Sequence, residues 1–391
     1  MALRDAATGW PLEGLERTEG RHEALPLERL VWGTGVLRSL APELAERDVR
    51  RAALLTTGPL PESLVGRVEE ALGDLHAYTV RDLPAHVPES VVLSATQDLL
   101  GHDVDALVSL GGGSVIDGTK AIAAGLTPQG GRPPLHASLP TTLAGAELSH
   151  FYGVTRTGPQ GEHVKQSYVD RSSTPALVIL DPLVTQATPA ALWAGSGLKA
   201  IDHAVEMIVA PGRRPVADIV ALAGIRGLAT HLVTSLDDAD DGTARLECQI
   251  AAWQCYASAG NARLGLSHRI GHVLGGTFGV PHSATSSITL PAVLRVMAAR
   301  EPHRVATIAA ALAADTALSF DPDPAAASMA APRLERLVAS LGLPARLRDV
   351  GVTPPQVAEI ASLVLALYPD ECRILGSEPL QPLTALLEEI L

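Results

Sequence analysis

A chain of 391 residues has room for two domains of ordinary size, each with its own core. Hydrophobic residues make up 47% and charged residues 19%, a composition that excludes a disordered chain. The formal net charge of −13, with no long run of Lys or Arg, excludes nucleic acid as an expected partner, so an anionic small substrate would need local positive charge in its pocket.

Met1–Gly20 lacks an apolar core flanked by basic residues, so no secretory signal is expected. Cys248, Cys255 and Cys372 are odd in number and fit no zinc spacing, which points to a reducing, cytoplasmic setting. The longest apolar stretches are broken by Gly, Pro or charge, so no membrane span is expected. Ala52–Thr56 (AALLT) predicts a strand that ends at Gly58-Pro59, and Glu62–Leu75 predicts an amphipathic helix. Ala106–Leu110 (ALVSL) predicts a second strand that runs into glycines and then a helix over Val115–Ala124. Ala176–Leu180 (ALVIL) predicts a third, ended by Asp181-Pro182. Strands alternating with helices imply a mostly parallel sheet. After about Thr188 helical periodicity dominates, as in Pro189–Val209, Val216–Ser235, Ala244–Ala259 and His303–Ala314, with Asp321–Ala327 (DPDPAAA) as a linker. The expected architecture is an α/β domain over 1–183 and an all-helical domain over 184–391, with the boundary near Asp181–Thr188.

The run Gly111-Gly112-Gly113-Ser114 joins a strand to a helix. Consecutive glycines let a backbone approach a phosphate, and the helix N-terminus offers free N–H groups and a positive dipole end. Ser114 stands where an N-cap hydroxyl would serve. The pattern is neither the Rossmann glycine fingerprint nor the P-loop, and a tight turn without ligand is the alternative. Thr141 and Thr142, leading to Gly145-Ala146-Glu147, offer two hydroxyls to a phosphate or ribose, or else cap a helix.

The second half carries a cluster. In GLKAIDHAVE (Gly197–Glu206), Lys199 and His203 are four apart and share a helix face. In GLSHRIGHVLGGTFGVPH (Gly265–His282), His268 and His272 are again four apart; Gly275-Gly276 is expected to end or loosen that helix, and His282 follows on a turn. Imidazoles at this spacing can converge on a metal or relay protons. His22, His86 and His303 read as ordinary core or surface residues.

GGGSVIDGTKAIAAG, LPTTLAGAE, DPLVTQATPAALWAGSGLKAIDHAVE and LSHRIGHVLGGTFGVPHS, with the early VWGTG, resemble in order the signatures of the iron-containing alcohol dehydrogenase superfamily, and LGGTFGVPH resembles its maleylacetate reductase branch. The resemblance spans roughly residues 27–300 and implies the dehydroquinate synthase-like fold, a dinucleotide-binding α/β domain with a helical catalytic domain, and usually a homodimer. It implies NADH or NADPH in the interdomain cleft. Gly111, Gly112, Gly113 and Ser114 would hold the pyrophosphate, Thr141 and Thr142 would line it, and Lys165 would reach the ribose. Metal-dependent members use one Asp and three His. His203, His268 and His282 match the histidines, His272 matches a catalytic histidine that is not a ligand, and Lys199 stands at the Asp position. A protonated ammonium has no lone pair and repels a divalent cation, so no tightly bound metal is expected.

Lys199 would then replace the metal's charge at a substrate carbonyl, with His272 or His268 as proton donor; the alternative is that Lys199 only pairs with Asp202 or Glu206. No acid follows the Ala52–Thr56 strand, so NADPH is allowed beside NADH. Ser283–Ser287 (SATSS) and LYPDECRILGSEPL depart from the family, which implies an altered substrate pocket. The expected activity is reduction of a small carbonyl or conjugated carbonyl. The alternatives are a non-redox acid–base enzyme, such as an isomerase, cyclase or dehydratase, and a scaffold without activity.

Overall fold

The computed structural model describes residues 22–127, 131–158, 163–211, 215–257, 261, 264–314 and 322–391; the side chains of His163, Lys165 and His282 lie outside that description. Two compact units emerge. The first comprises Ala24–Pro189 with Asp238–Ile250, and the second holds Ala190–Asp237 and Ala251–Leu391.

The first unit is built on strands β1 (Arg29–Trp32), β2 (Ala52–Leu55), β3 (His76–Val80), β4 (Ala106–Gly111), β5 (Leu135–Pro140) and β8 (Leu177–Leu180), ordered β1-β8-β5-β4-β2-β3. Every pairing in this sheet is parallel, as expected. A separate antiparallel hairpin, β6 (Phe151–Thr157) and β7 (His163–Val169), leaves the sheet between β5 and β8. Helices α1 (Leu40–Ala45), α2 (Glu62–Leu72), α3 (Glu89–Leu99) and α4 (Gly113–Leu126) complete the layers. Leu54, Val108, Leu139 and Ile179 meet Leu40, Val65 and Val68 on one face, and Ala53, Leu55 and Leu107 meet Val92, Leu99, Val115 and Ile122 on the other. Strands covered on both faces show continuous rather than alternating hydrophobicity, which is why β2, β4 and β8 stand out in the sequence.

Strands β1, β3, β6 and β7 lack that signature, and so does β5. In β5, buried His136 and Ser138 join Ser109 of β4: His136 Nε2 lies 2.9 Å from Ser109 Oγ, which donates to Ser138 Oγ at 3.0 Å. The far segment Asp238–Ile250 is secured by buried Arg245, which donates to Thr185 O at 3.1 Å and to Ala239 O at 2.9 Å.

The second unit contains no strand among the described residues, in keeping with the helical expectation. Its helices begin with α5 (Ala190–Val209), α6 (Pro215–His231) and α7 (Thr234–Asp237). α8 (Gly242–Tyr256) starts in the Asp238–Ile250 segment of the first unit and only its last residues belong to the second, which continues with α9 (Leu266–Phe278), α10 (His282–Arg300), α11 (Pro302–Ala313) and α12 (Ala330–Ser340). The last are α13 (Gln356–Leu367), α14 (Pro369–Cys372) and α15 (Leu380–Glu389). Trp193–Leu198 of α5 are all buried, and α5 packs close to α10 because Gly195 has no side chain: a Cβ there would stand 2.5 Å from Ser283 Cβ. The expected break at Gly275-Gly276 is corrected. α9 runs through both glycines and stops at Gly279, whose left-handed φ of 69° lets Val280 N–H bond back to Leu274 O at 3.1 Å. Part of the expected DPDPAAA linker is helical: Pro324–Met329 forms a 3₁₀ turn, while Asp321 lies outside the described residues. No described helix is long and apolar enough to cross a membrane.

Candidate active site

The glycine turn sits at the carboxyl end of β4. α4 starts at Gly113 with Gly112 as its N-cap, so Ser114 lies inside the first turn and not at the cap where the sequence suggested it. Two of these positions require glycine for room. A Cβ on Gly111 would stand 2.5 Å from Val115 Cγ2, and one on Gly112 would stand 2.9 Å from Thr142 Cγ2. Thr141 N–H donates to Gly111 O at 3.0 Å, and Thr188 Oγ1 donates to Thr141 O at 2.6 Å, so the threonine loop is pinned against the turn. The result is a cradle that side chains would fill, facing the unpaired N–H groups of a 14-residue helix. It fits a pyrophosphate. Lys165 pairs with Thr155 in the hairpin, but its side chain lies outside the described residues.

Lys120, on α4 and fully buried, holds the far side of that loop. Its Nζ donates to Ala146 O at 2.7 Å, Ser149 O at 2.6 Å and Phe151 O at 2.9 Å. Burial pushes Lys120 down to about 8, against the pull of Asp117 and Glu147. Burial pushes the Glu147 carboxyl up to about 7, although a backbone hydrogen bond and Lys120 oppose it. Glu147 therefore binds its proton more tightly in the folded protein. That stabilisation is complete below the ordinary value of 4.5 and is lost as pH rises through about 7. Glu147→Gln is expected to abolish a pH-dependent loss of about 3 kcal/mol between pH 4.5 and 7.5. Urea unfolding of both proteins across that range reads the difference, and parallel curves would count against it.

The helical unit gathers the second cluster. His268 is 1% exposed, and its Nδ1 lies 2.6 Å from Glu206 Oε2 and 3.3 Å from Asp202 Oδ2. Its Nε2 is buried and has no hydrogen-bond partner among the described residues. Asp202 is wholly buried; its Oδ2 accepts from Ser286 Oγ at 2.5 Å and stands 3.7 Å from Lys199 Nζ. Lys199 remains 21% exposed. The His203 ring lies 4.2 Å from that of His268, edge on, and 4.5 Å from that of Tyr256.

Charge follows from these contacts. Burial opposes a charged His268, yet Asp202 and Glu206 outweigh it and raise the imidazole above its usual value, despite Lys199. Asp202 is held down to about 2: burial opposes ionisation, but His268, Lys199 and Ser286 prevail. Burial lowers Lys199, partly offset by Asp202 and Glu206. Burial, then His268, Lys199 and His272, drive His203 well below the usual value, so His203 is neutral. The cluster thus sets an imidazole whose protonated form is favoured, and the Lys199 amine, against two buried acidic side chains.

Lys199, His203 and His268 therefore come together. His272 lies a turn further along α9, exposed, with its ring 6.2 Å from that of Tyr368. Arg269 lies over the same Tyr368 ring at 4.8 Å and pairs with Glu371 at 2.8 Å. His282 opens α10 rather than sitting on a turn, and its side chain lies outside the described residues. The partners absent from the predicted site are Glu206, Asp202 and Ser286. The sequence alone offers Asp202 and Glu206 only as ion-pair partners for Lys199, and Ser286 only as part of the divergent SATSS. Asp202, Glu206 and His268 also bring potential ligand atoms within 4.8 Å of one another. Both Glu206 oxygens are already engaged by N–H groups, and Lys199 neutralises Asp202.

A glycine turn on a parallel sheet, followed by a helical unit with a buried histidine, acid and lysine cluster, defines a two-part dehydrogenase fold. Comparison with known proteins gives the family. The description "Iron-containing alcohol dehydrogenase" matches residues 28–182, and "Fe-containing alcohol dehydrogenase family, C-terminal" matches residues 193–387. The chain belongs to the iron-containing alcohol dehydrogenase family and is an oxidoreductase. It is 35% identical over 291 residues to maleylacetate reductase 2 of Cupriavidus pinatubonensis, covering 73% of this chain and 76% of that one. It is 33% identical over 348 residues to the maleylacetate reductase of Delftia acidovorans, covering 88% and 90%. The crystal structure of maleylacetate reductase from Rhizobium sp. strain MTP-10005 superposes with a TM-score of 0.81 at 29% identity, covering 96% of this chain and 98% of that one.

Proposed function

We propose that the protein is a metal-independent, NAD(P)H-dependent reductase of a small carbonyl or conjugated carbonyl compound, of the maleylacetate reductase kind. A bound nicotinamide dinucleotide supplies the hydride for that reduction. Gly111, Gly112, Gly113 and Ser114 hold its pyrophosphate, with Thr141 and Thr142 alongside.

The observation that carries the reading is the Lys199–Asp202–His268 arrangement. Lys199 puts a positive charge where a carbonyl oxygen gains negative charge, and Asp202 fixes it there at 3.7 Å. His268, oriented through Nδ1, leaves a buried and unengaged Nε2 to donate. His272 is the second proton donor within the cluster's reach. The donor set speaks against a divalent metal, since Lys199 replaces the Asp ligand and would repel the ion.

The test is NADH oxidation, followed at 340 nm with maleylacetate and with simple aldehydes, before and after exhaustive chelation. Turnover that survives chelation is the expected result. Turnover that stops and returns with added divalent metal would overturn the metal-independent reading. Failure of the folded protein to bind either reduced nucleotide would favour acid–base chemistry at Lys199 and the histidines.

A further inference from the structure

No acid directly follows β2 in the sequence, but the fold supplies one from the next strand. Asp82, two residues beyond β3, leans back over the carboxyl end of β2. Its Oδ1 lies 2.6 Å from where a Cβ on Gly58 would stand, so the carboxylate occupies space that only a glycine leaves open. Thr56 ties three strand ends together: its N–H donates to Val80 O at 2.9 Å, its O accepts from Leu83 N–H at 3.0 Å, and its Oγ1 donates to Leu110 O at 3.0 Å. Leu110 directly precedes the glycine turn. Asp82 therefore stands over the strand beside the phosphate cradle, within the same rigid sheet, about one strand spacing of ~4.8 Å away.

The carboxylate is also available. Asp82 is exposed and has no hydrogen-bond or ion-pair partner among the described residues. Its neighbour Arg81 is turned away, paired with Glu62 at 2.5 Å and Glu69 at 2.8 Å. The backbone is held in an unfavourable form to keep it there: Asp82, His86 and Val87 have φ of 68°, 66° and 50°. Left-handed backbone at a β-branched residue such as Val87 persists only where surroundings enforce it. Here Thr155 does so, with its Oγ1 donating to His86 O at 2.6 Å and its N–H to Val87 O at 2.9 Å.

In dinucleotide-binding sheets, an acid at the end of the strand beside the phosphate turn accepts from the ribose 2′-hydroxyl and repels a 2′-phosphate. We propose that Asp82 is the residue that selects the dinucleotide, making this site prefer NADH over NADPH. The inference rests on the nicotinamide reading above and replaces the even choice between the two nucleotides that the sequence left.

Two variants test it without straining the backbone, because Asn and Gly both accept a left-handed φ. Asp82→Asn keeps an acceptor and removes the charge; Asp82→Gly removes both. Kd values for NADH and NADPH are read by nicotinamide fluorescence on purified full-length protein, with no turnover involved. The unaltered protein is expected to bind NADH at least about tenfold more tightly than NADPH, given the repulsion between a carboxylate and a phosphate. Asp82→Asn should tighten NADPH binding by about tenfold and leave NADH within a few-fold. Asp82→Gly should tighten NADPH and weaken NADH together. Equal affinities in the unaltered protein, or an unchanged ratio in both variants, would overturn the assignment while leaving the reductase reading intact. No binding of either nucleotide to folded protein would overturn both.

Discussion

Lys199→Ala is expected to lower kcat by about 100- to 1000-fold, the size of effect seen when one donor to a developing oxyanion is removed. The loss should fall on kcat more than on KM, because the charge matters most as the carbonyl oxygen becomes an alkoxide. The fold should survive. Lys199 is 21% exposed, and Asp202 keeps Ser286 at 2.5 Å and His268 at 3.3 Å after Lys199 is gone. Thermal unfolding thus serves as the control, with a shift of only a few degrees expected. Lys199→Arg keeps the charge but spreads it over a planar fork, so it should recover part of the rate. Lys199→Asp replaces the ammonium with a carboxylate that can ligate a cation, and metal content after dialysis should then rise above that of the unaltered protein. Unchanged turnover in Lys199→Ala would reduce Lys199 to an ion-pair partner of Asp202.

The sequence carried this much because helical spacing is short-range information. Lys199 and His203, or His268 and His272, share a face by the geometry of one helix alone. The parallel core was legible for a related reason: β2, β4 and β8 are buried on both faces, so their residues are apolar almost throughout, with Ser109 of β4 the polar exception. β5 escaped because its buried His136 and Ser138 pair with Ser109 across the sheet, and such pairing is invisible before the strands are placed. β3 is an edge strand with no fully buried residue. The acid over Gly58 was missed in the same way, because Asp82 reaches β2 only through the parallel pairing of β2 and β3. Glu206 of α5 holds His268 of α9, and Ser286 of α10 donates to Asp202 of α5, so their roles depend on packing rather than on local pattern.

Glu206→Ala is expected to destabilise the helical unit by about 3–5 kcal/mol, the cost of breaking a buried charge network from one side. Glu206 is 2% exposed and belongs to α5, yet it serves as the cap of α9. The N-cap of α9 is Gly265, which has no side chain to do this. Glu206 Oε2 accepts from Gly265 N–H at 2.8 Å, and Oε1 accepts from Ser267 N–H at 2.7 Å and more weakly from His268 N–H at 3.3 Å. A negative charge at the start of α9 also meets the positive end of its dipole. Gly265 leaves the necessary space, since a Cβ there would stand 3.0 Å from Glu206 Oε1. Removing the carboxylate strands the buried N–H groups of Ser267 and His268 and the half-buried one of Gly265, and leaves His268 Nδ1 only Asp202 Oδ2 at 3.3 Å, so stability and catalysis should fall together. Glu206→Gln separates the two effects. Its amide oxygen can still accept from Ser267, but its NH₂ group opposes Gly265 N–H and the proton on His268 Nδ1. Stability should fall less than in Glu206→Ala, while kcat should still drop because His268 loses the partner that fixes its proton. Urea unfolding with steady-state kinetics reads both quantities, and a Glu206→Ala protein within about 1 kcal/mol of the unaltered one would show that α9 is capped by other means.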